Sequence, residues 1–283
     1  MTIRVVPTGA PVGAFVEGVQ VADCDDEAFA VIHAAFVTHG VVFLRDQRLS
    51  PDQHLAFARR WSTINVNRFF TPVAGHPEIA EVRKEPDQTE NIGQVWHTDH
   101  SYDERPAMGS ILYARTVPPV GGDTLFASQY AAYEALDPAL RTALLDRWAW
   151  HSSRHAFGVE AQTGDGEGAL FNNPEAATQD ARHPVIIRHP LSGRPALYVN
   201  PDFTVRFDGE SADDSAALLS ALWDHASRDD FVYRFRWDAG SMAIWDNRAV
   251  QHKALNDYHG YLRLMHRVTL EGVGLEPFST DGR

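Results

Sequence analysis

Short apolar runs of strand length recur along the chain, at VVFLR (41–45), EIAEVRKE (78–85), GSILYAR (109–115), VIIRHP (185–190), ALYVN (196–200), FVYRFRW (231–237), SMAIWDN (241–247) and LRLMHRVTL (262–270). In FVYRFRW, Phe231, Tyr233, Phe235 and Trp237 alternate with Val232, Arg234 and Arg236, the period of a sheet with one packed face and one wetter face on which the arginines are solvated or ion-paired. PLSGRP (190–195) supplies the Gly and Pro of a turn between two such strands. Helical spacing intervenes. DEAFAVIHAAFVTHG sets Phe29, Ile32 and Phe36 on one face and stops at Gly40, and LSPDQHLAFARRW offers Ser50 as N-cap with Pro51 at the first helical position. Residues 129–146 and 211–226 read as helices too, the second opening on Ser211 with Asp213 and Asp214 at the positive end of its dipole. Many strands with a few packing helices predict a mainly β fold, a sandwich or jelly roll. No stretch reads as a domain linker, so residues 1–283 are expected to form one domain. The turn-rich segment 158–182 is longer than an idle connection and is a candidate lid.

Composition narrows the chemistry. With 44% hydrophobic residues the chain can bury a core without staples. Its only cysteine, Cys24, excludes an intrachain disulfide and a CxxC metal site, and fits a reducing compartment. The N-terminus lacks a basic segment followed by an apolar run, and no stretch approaches the roughly 18 apolar residues of a membrane span. A cytoplasmic location without membrane contact is therefore expected. A formal charge of −13 opposes non-specific binding to nucleic acid or anionic lipid. Self-association as a homo-oligomer is left open.

VWHTDHSY (95–102) concentrates His97, Asp99 and His100 in a run otherwise fit for a buried strand. Among 14 histidines one His-x-Asp triplet is expected by chance, so its context must carry it. Positions i and i+2 of a strand point the same way, so an imidazole and a carboxylate can take adjacent sites on one metal. WDNRAVQHKA (245–254) offers a third ligand in His252, with Asp246, Asn247 and Arg248 placed to stabilise the turn that aims it. Two imidazoles and a carboxylate make the facial triad of a non-haem iron(II) oxygenase. Farther on, Arg263 and Arg267 share one face of a strand, where one fork could hold a dicarboxylate cosubstrate and the other an anionic substrate. His266, between them, falls on the opposite face. Thr124 in GGDTLFAS adds a hydroxyl for the cosubstrate carboxylate.

WHTD (96–99), GGDTLFAS (121–128), WDNRAVQH (245–252) and LRLMHR (262–267) together resemble the taurine dioxygenase (TauD/TfdA) family of Fe(II)/2-oxoglutarate-dependent oxygenases, which includes herbicide-degrading aryloxyacetate dioxygenases. The resemblance runs over nearly the whole chain. It implies a double-stranded β-helix, or jelly roll, with Fe(II), 2-oxoglutarate and O2 as cofactors. It implies that His97, Asp99 and His252 bind iron, that Thr124 and Arg263 hold the distal carboxylate of 2-oxoglutarate, and that Arg267 meets a substrate anion beside Phe157 and Phe203. Three positions depart from the family. Gly93 stands where taurine-cleaving members carry an amide, the family's substrate-binding histidine falls near Asn67 and Arg68, and His100 replaces a small apolar residue. Gly93, Arg68 and His100 thus join the expected substrate contacts, and taurine is disfavoured. The expected reaction hydroxylates a C–H bond of a small to medium organic anion, sulfonate or carboxylate, with C–S or C–O cleavage where the new hydroxyl is unstable. The alternatives are a non-catalytic jelly roll that binds a metal or anion, and a zinc hydrolase using the same ligands.

Overall fold

The computed structural model describes residues 2–163 and 170–279. Its larger sheet runs, in spatial order, through Arg4–Pro7, Ala14–Glu17, Val41–Leu44, Met242–Asp246, Gly109–Thr116, Arg263–Leu270, His76–Lys84 and Pro72–Val73, with Ile64–Asn65 also pairing to Arg263–Leu270. All pairings are antiparallel except that of Ala14–Glu17 with Val41–Leu44. In its centre, from Val41–Leu44 to His76–Lys84, every neighbouring pair is non-consecutive in the chain, as in a jelly roll. Three smaller sheets complete the layers; one places Thr124–Ser128 between Val232–Phe235 and Val250–Ala254.

Period-2 alternation explains why the sheets stack. On Gly109–Thr116, Ile111 and Tyr113 pack with Ile32, Phe36 and Leu55 of the helices Asp26–His39 and Pro51–Ala58, whereas Leu112 and Ala114 pack with Phe126, Phe235 and Val250 of the smaller sheet. Arg263–Leu270 repeats the division: Val268 and Leu270 face the helices and Met265 faces the second sheet. Arg263 and Arg267, two residues either side of Met265, share its inward direction. Two cations therefore sit on the apolar side of the sandwich.

Helix ends follow their local chemistry. Asp25 caps the helix Asp26–His39, which ends on Gly40 with φ 73°, a left-handed position that favours glycine. Ser50 and Gln53 form a reciprocal capping box around Pro51. Ser211 caps Ala212–Ala226, with Asp213 and Asp214 in its first turn as expected. The helix expected over 129–146 is instead two, Gln129–Glu134 and Pro138–Leu144. Pro138 has no N–H to continue the first, and Asp137 caps the second. The candidate lid is likewise not all loop: Asp180–Pro184 is a strand, and residues 164–169 lie outside the described residues. Among the described residues no helix is long and apolar enough to cross a membrane.

Burial pushes His54 down to about 3 and His183 and His266 down to about 4. An unfolded histidine titrates near about 6.5, so at lower pH the unfolded chain takes up protons that the folded chain refuses. Stability is expected to fall as pH drops from about 6.5 towards about 4. Urea midpoints measured from about pH 7.5 to about pH 5.5 should decline, and less steeply for His54→Leu than for the wild type.

Candidate active site

One metal-ligating atom from each of His97, Asp99 and His252 lies within 4.8 Å of the other two. The backbone sets this up. His97 N–H donates to the His252 carbonyl at 3.1 Å and His252 N–H returns the bond to His97 at 2.9 Å, an isolated bridge that brings the two rings to a centroid separation of 4.0 Å. His252 rides on Val250–Ala254, whose pairing with Thr124–Ser128 places Ala254 opposite Thr124. The expected strand at 95–102 is reduced to this one bridge. His100 turns the chain away, with φ 60°, and Asp99 is left pointing back at the two imidazoles.

Charge and protonation suit a cation. Burial opposes ionisation of Asp99, but the Arg267 guanidinium beside it outweighs this and holds the carboxyl well below the usual range. Burial pushes His97 down, partly opposed by Asp99, and pushes His252 well down with help from His97, so both rings are neutral. His97 donates from Nδ1 to the Val95 carbonyl at 2.8 Å, leaving the Nε2 lone pair towards Asp99, 3.8 Å from Oδ1. His252 Nε2 stands 4.0 Å from Asp99 Oδ2, its ring wedged against Trp245 at 4.6 Å. A carboxylate and two neutral imidazoles on one side of an open cavity form the donor set of a catalytic divalent metal, and they fit iron.

Behind this cluster a small cavity of about 40 Å³ is lined by Gly93, Thr124, Arg263 and both histidines, among others. Arg263 is buried there, and its Nε and Nη2 have no hydrogen-bond partner among the described residues. Thr124 Oγ1 accepts from Trp237 Nε1 at 2.9 Å, so its own hydroxyl hydrogen is available to a ligand. A buried guanidinium with unmet donors is costly unless an anion completes it. The pair fits a carboxylate.

In front opens a cavity of about 320 Å³, with Arg267, Asp99 and His97 at its floor and Phe70, Tyr102, Phe157, Phe171 and Phe203 among its walls. Of the expected substrate contacts, Arg267, Phe157, Phe203, His100 and Gly93 all line it. Arg68 does not: its guanidinium is held on Asp103 at 3.0 and 3.1 Å, and Asn67 lines the cavity instead. Asn67 Oδ1 accepts from the Phe69 and Phe70 backbone N–H groups, which turns its amide NH2 to His100 Nε2 at 3.3 Å. His100 then gives its Nδ1 proton to Asp103 at 2.8 Å, so it both lines the cavity and is fixed within a polar chain. Arg267 is not a solitary cation awaiting an anion. It donates from Nη1 to Asp99 Oδ1 at 3.2 Å and lies over the Phe70 ring at 4.3 Å, with Nε still without a partner among the described residues.

Other positions behave as their pattern implied. Asp246 accepts from the Arg248 backbone and guanidinium and from His189, bracing the turn before His252. Arg234 is ion-paired to Asp123 and Asp257 on the wetter face. Sequence reasoning passed over Ser110, whose hydroxyl donates to Asp99 Oδ2 at 2.7 Å, and the cavity residues Phe70, Tyr102, His155 and Phe171. The signal for Ser110 was a small polar residue at an inward position of an apolar strand.

The sequence profile of the family described as "Taurine catabolism dioxygenase TauD, TfdA family" matches residues 4–269. An (S)-phenoxypropionate/alpha-ketoglutarate-dioxygenase of Delftia acidovorans is 34% identical, over 97% of this chain and 99% of its own. An alpha-ketoglutarate-dependent sulfate ester dioxygenase of Pseudomonas putida is 33% identical, over 100% of this chain and 93% of its own. Among solved structures, a taurine dioxygenase from Burkholderia xenovorans superposes with a TM-score of 0.82 at 34% identity, covering 100% of this chain and 95% of that one.

Gly93 has φ +82°, and a Cβ there would stand 3.2 Å from His97 Cε1. Gly93→Ala is therefore expected to press on the His97 ring and weaken Mn(II) binding on the order of tenfold. Mn(II) titration followed by electron paramagnetic resonance checks this; unchanged affinity would show that the ring has room to give.

Proposed function

Because the chain belongs to the TauD/TfdA dioxygenase family, we propose that His97, Asp99 and His252 hold the iron of this Fe(II)/2-oxoglutarate-dependent dioxygenase and that its substrate is an organic anion with an apolar body. The observation that carries the reading is the pairing of the buried His97–Asp99–His252 cluster with a second buried cation, Arg263, whose Nε and Nη2 are unmet among the described residues. A protein that merely stores a metal has no use for that arginine. When bound, iron with 2-oxoglutarate and O2 supplies the oxidising power that hydroxylates a C–H bond and releases succinate and CO2.

The chain's own residues bind, orient and exclude water. Arg263, with Thr124 beside it, takes the distal carboxylate of 2-oxoglutarate, which sets the cosubstrate's other end towards the histidines. Arg267 receives the substrate anion with the guanidinium edge that Asp99 does not use, fixing the distance of the body from the metal. Phe70, Phe157, Phe171 and Phe203 enclose that body and keep water from the reacting carbon. The cavity's size and aromatic walls favour a substrate bulkier than taurine, a sulfonate or carboxylate in which hydroxylation can lead to C–S or C–O cleavage. Relatives named for phenoxypropionate and for sulfate esters point to the same combination of anion and apolar body. The family match over residues 4–269 supports reading 1–283 as one dioxygenase domain, and the single cysteine supports a reducing compartment such as the cytoplasm.

A screen of sulfonates, aryloxyalkanoates and sulfate esters for substrate-dependent succinate, with and without O2, tests the reading. Succinate should require Fe(II), 2-oxoglutarate and O2 together, and His97→Ala, Asp99→Ala and His252→Ala should each abolish it in a folded protein. Oxygen-independent turnover would instead support a metal hydrolase. Arg263→Ala is expected to weaken anaerobic 2-oxoglutarate binding by about 2 to 5 kcal/mol, and Thr124→Val by about 1 kcal/mol. Arg267→Ala should raise the substrate KM while sparing substrate-free 2-oxoglutarate consumption; an uncharged best substrate would remove Arg267 from this role.

A further inference from the structure

Asp99 is gripped from two strands of the larger sheet. Ser110 Oγ donates to Oδ2 at 2.7 Å and Arg267 Nη1 donates to Oδ1 at 3.2 Å. Ser110 lies opposite Trp245 on one side and Thr269 on the other, with none of its surface exposed. Its side chain shares the inward direction of Leu112 and Ala114, and its hydroxyl is fully buried where it meets Asp99. The two grips differ in kind. A serine side chain in a closed sheet interior has one short arm and nowhere else to go. Arg267 has a long arm, an Nε with no partner among the described residues, and one side open to the substrate cavity.

We propose that Ser110 is the positioning residue that fixes the Asp99 carboxylate for the metal, so that Arg267 can be shared with the substrate anion without loss of the ligand geometry. This inference rests on Asp99 being a metal ligand. A carboxylate attached through a single Cβ–Cγ bond rotates easily, and its orientation is set by what its oxygens accept. With Oδ2 anchored by the serine hydroxyl, the plane of the group is held against the two imidazoles. Each oxygen accepts one hydrogen bond among the described residues, which leaves a lone pair on each for a metal. Were Arg267 the sole support, every anion reaching it would loosen the metal; the serine separates the two duties.

The test measures metal binding to the otherwise intact protein without substrate or 2-oxoglutarate. Mn(II) affinity is followed by electron paramagnetic resonance for wild type, Ser110→Ala, Ser110→Cys and His97→Ala, with the thermal transition of the metal-free proteins recorded alongside. Ser110→Ala is expected to lose Mn(II) affinity on the order of 10- to 100-fold with its metal-free transition nearly unchanged. Ser110→Cys fills the same space with a weak donor and should stay close to the alanine variant. At saturating Fe(II), Ser110→Ala should keep the wild-type KM for 2-oxoglutarate, since Arg263 is untouched. Mn(II) affinity within twofold of wild type in a folded Ser110→Ala protein would overturn the proposal, as would full affinity in Ser110→Cys, which would assign the effect to packing. His97→Ala separates the two levels: if it also binds Mn(II) normally, the ligand assignment itself has failed, whereas loss in His97→Ala with none in Ser110→Ala removes the serine alone.

Discussion

The site depends on one reciprocal pair of backbone hydrogen bonds, His97 to His252 and back. The two residues are far apart in sequence, and a metal ligand set cannot tolerate errors of an ångström between its members. Side-chain contacts alone would leave the loop carrying His97 free to slide. The bridge gives both imidazoles the register of a sheet, and the abrupt turn at His100 then swings Asp99 back across them. The turn itself is held by the chain from Asn67 through His100 and Asp103 to Arg68. A positive φ at a bulky residue is strained, and those polar partners on both ring nitrogens are what hold it there.

The second constraint is the placing of charge inside an apolar layer. The inner side of the larger sheet carries Leu112, Ala114, Met265 and Trp245, and the same side carries Arg263 and Arg267. Sheet alternation leaves no choice once the strand is in register: residues at i, i+2 and i+4 share a face. The protein resolves the two cations differently. Arg267 has Asp99 as partner, whereas Arg263 keeps donors unmet among the described residues beside Thr124. In the function proposed above, the carboxylate of 2-oxoglutarate would be the anion that Arg263 lacks.

Much of this was legible in the sequence because its cause is local or periodic. The strand runs around 41, 109, 242 and 263, the caps at Ser50 and Ser211 and the stop at Gly40 all follow from spacing and turn chemistry. His97, Asp99, His252, Thr124 and Arg263 stood out through the order of four motifs. What escaped depends on contacts between distant segments. Pro138 was a readable break that the apolar spacing of 129–146 masked. Whether Asn67 or Arg68 faces the cavity turned on Asp103 capturing the guanidinium, which no local pattern encodes. Ser110 meets Asp99 only once the turn at His100 has formed, and the aromatic walls at Phe70 and Phe171 come from separate loops.

The most direct test of the account is where a metal sits when cosubstrate is present. Crystals grown without oxygen in Mn(II) and 2-oxoglutarate, with diffraction recorded at the manganese absorption edge, would locate both. The account predicts one anomalous peak bounded by His97 Nε2, His252 Nε2 and an oxygen of Asp99, with a 2-oxoglutarate carboxylate on the Arg263 guanidinium beside Thr124. A peak elsewhere, or cosubstrate seated on Arg267 with Arg263 left bare, would contradict it.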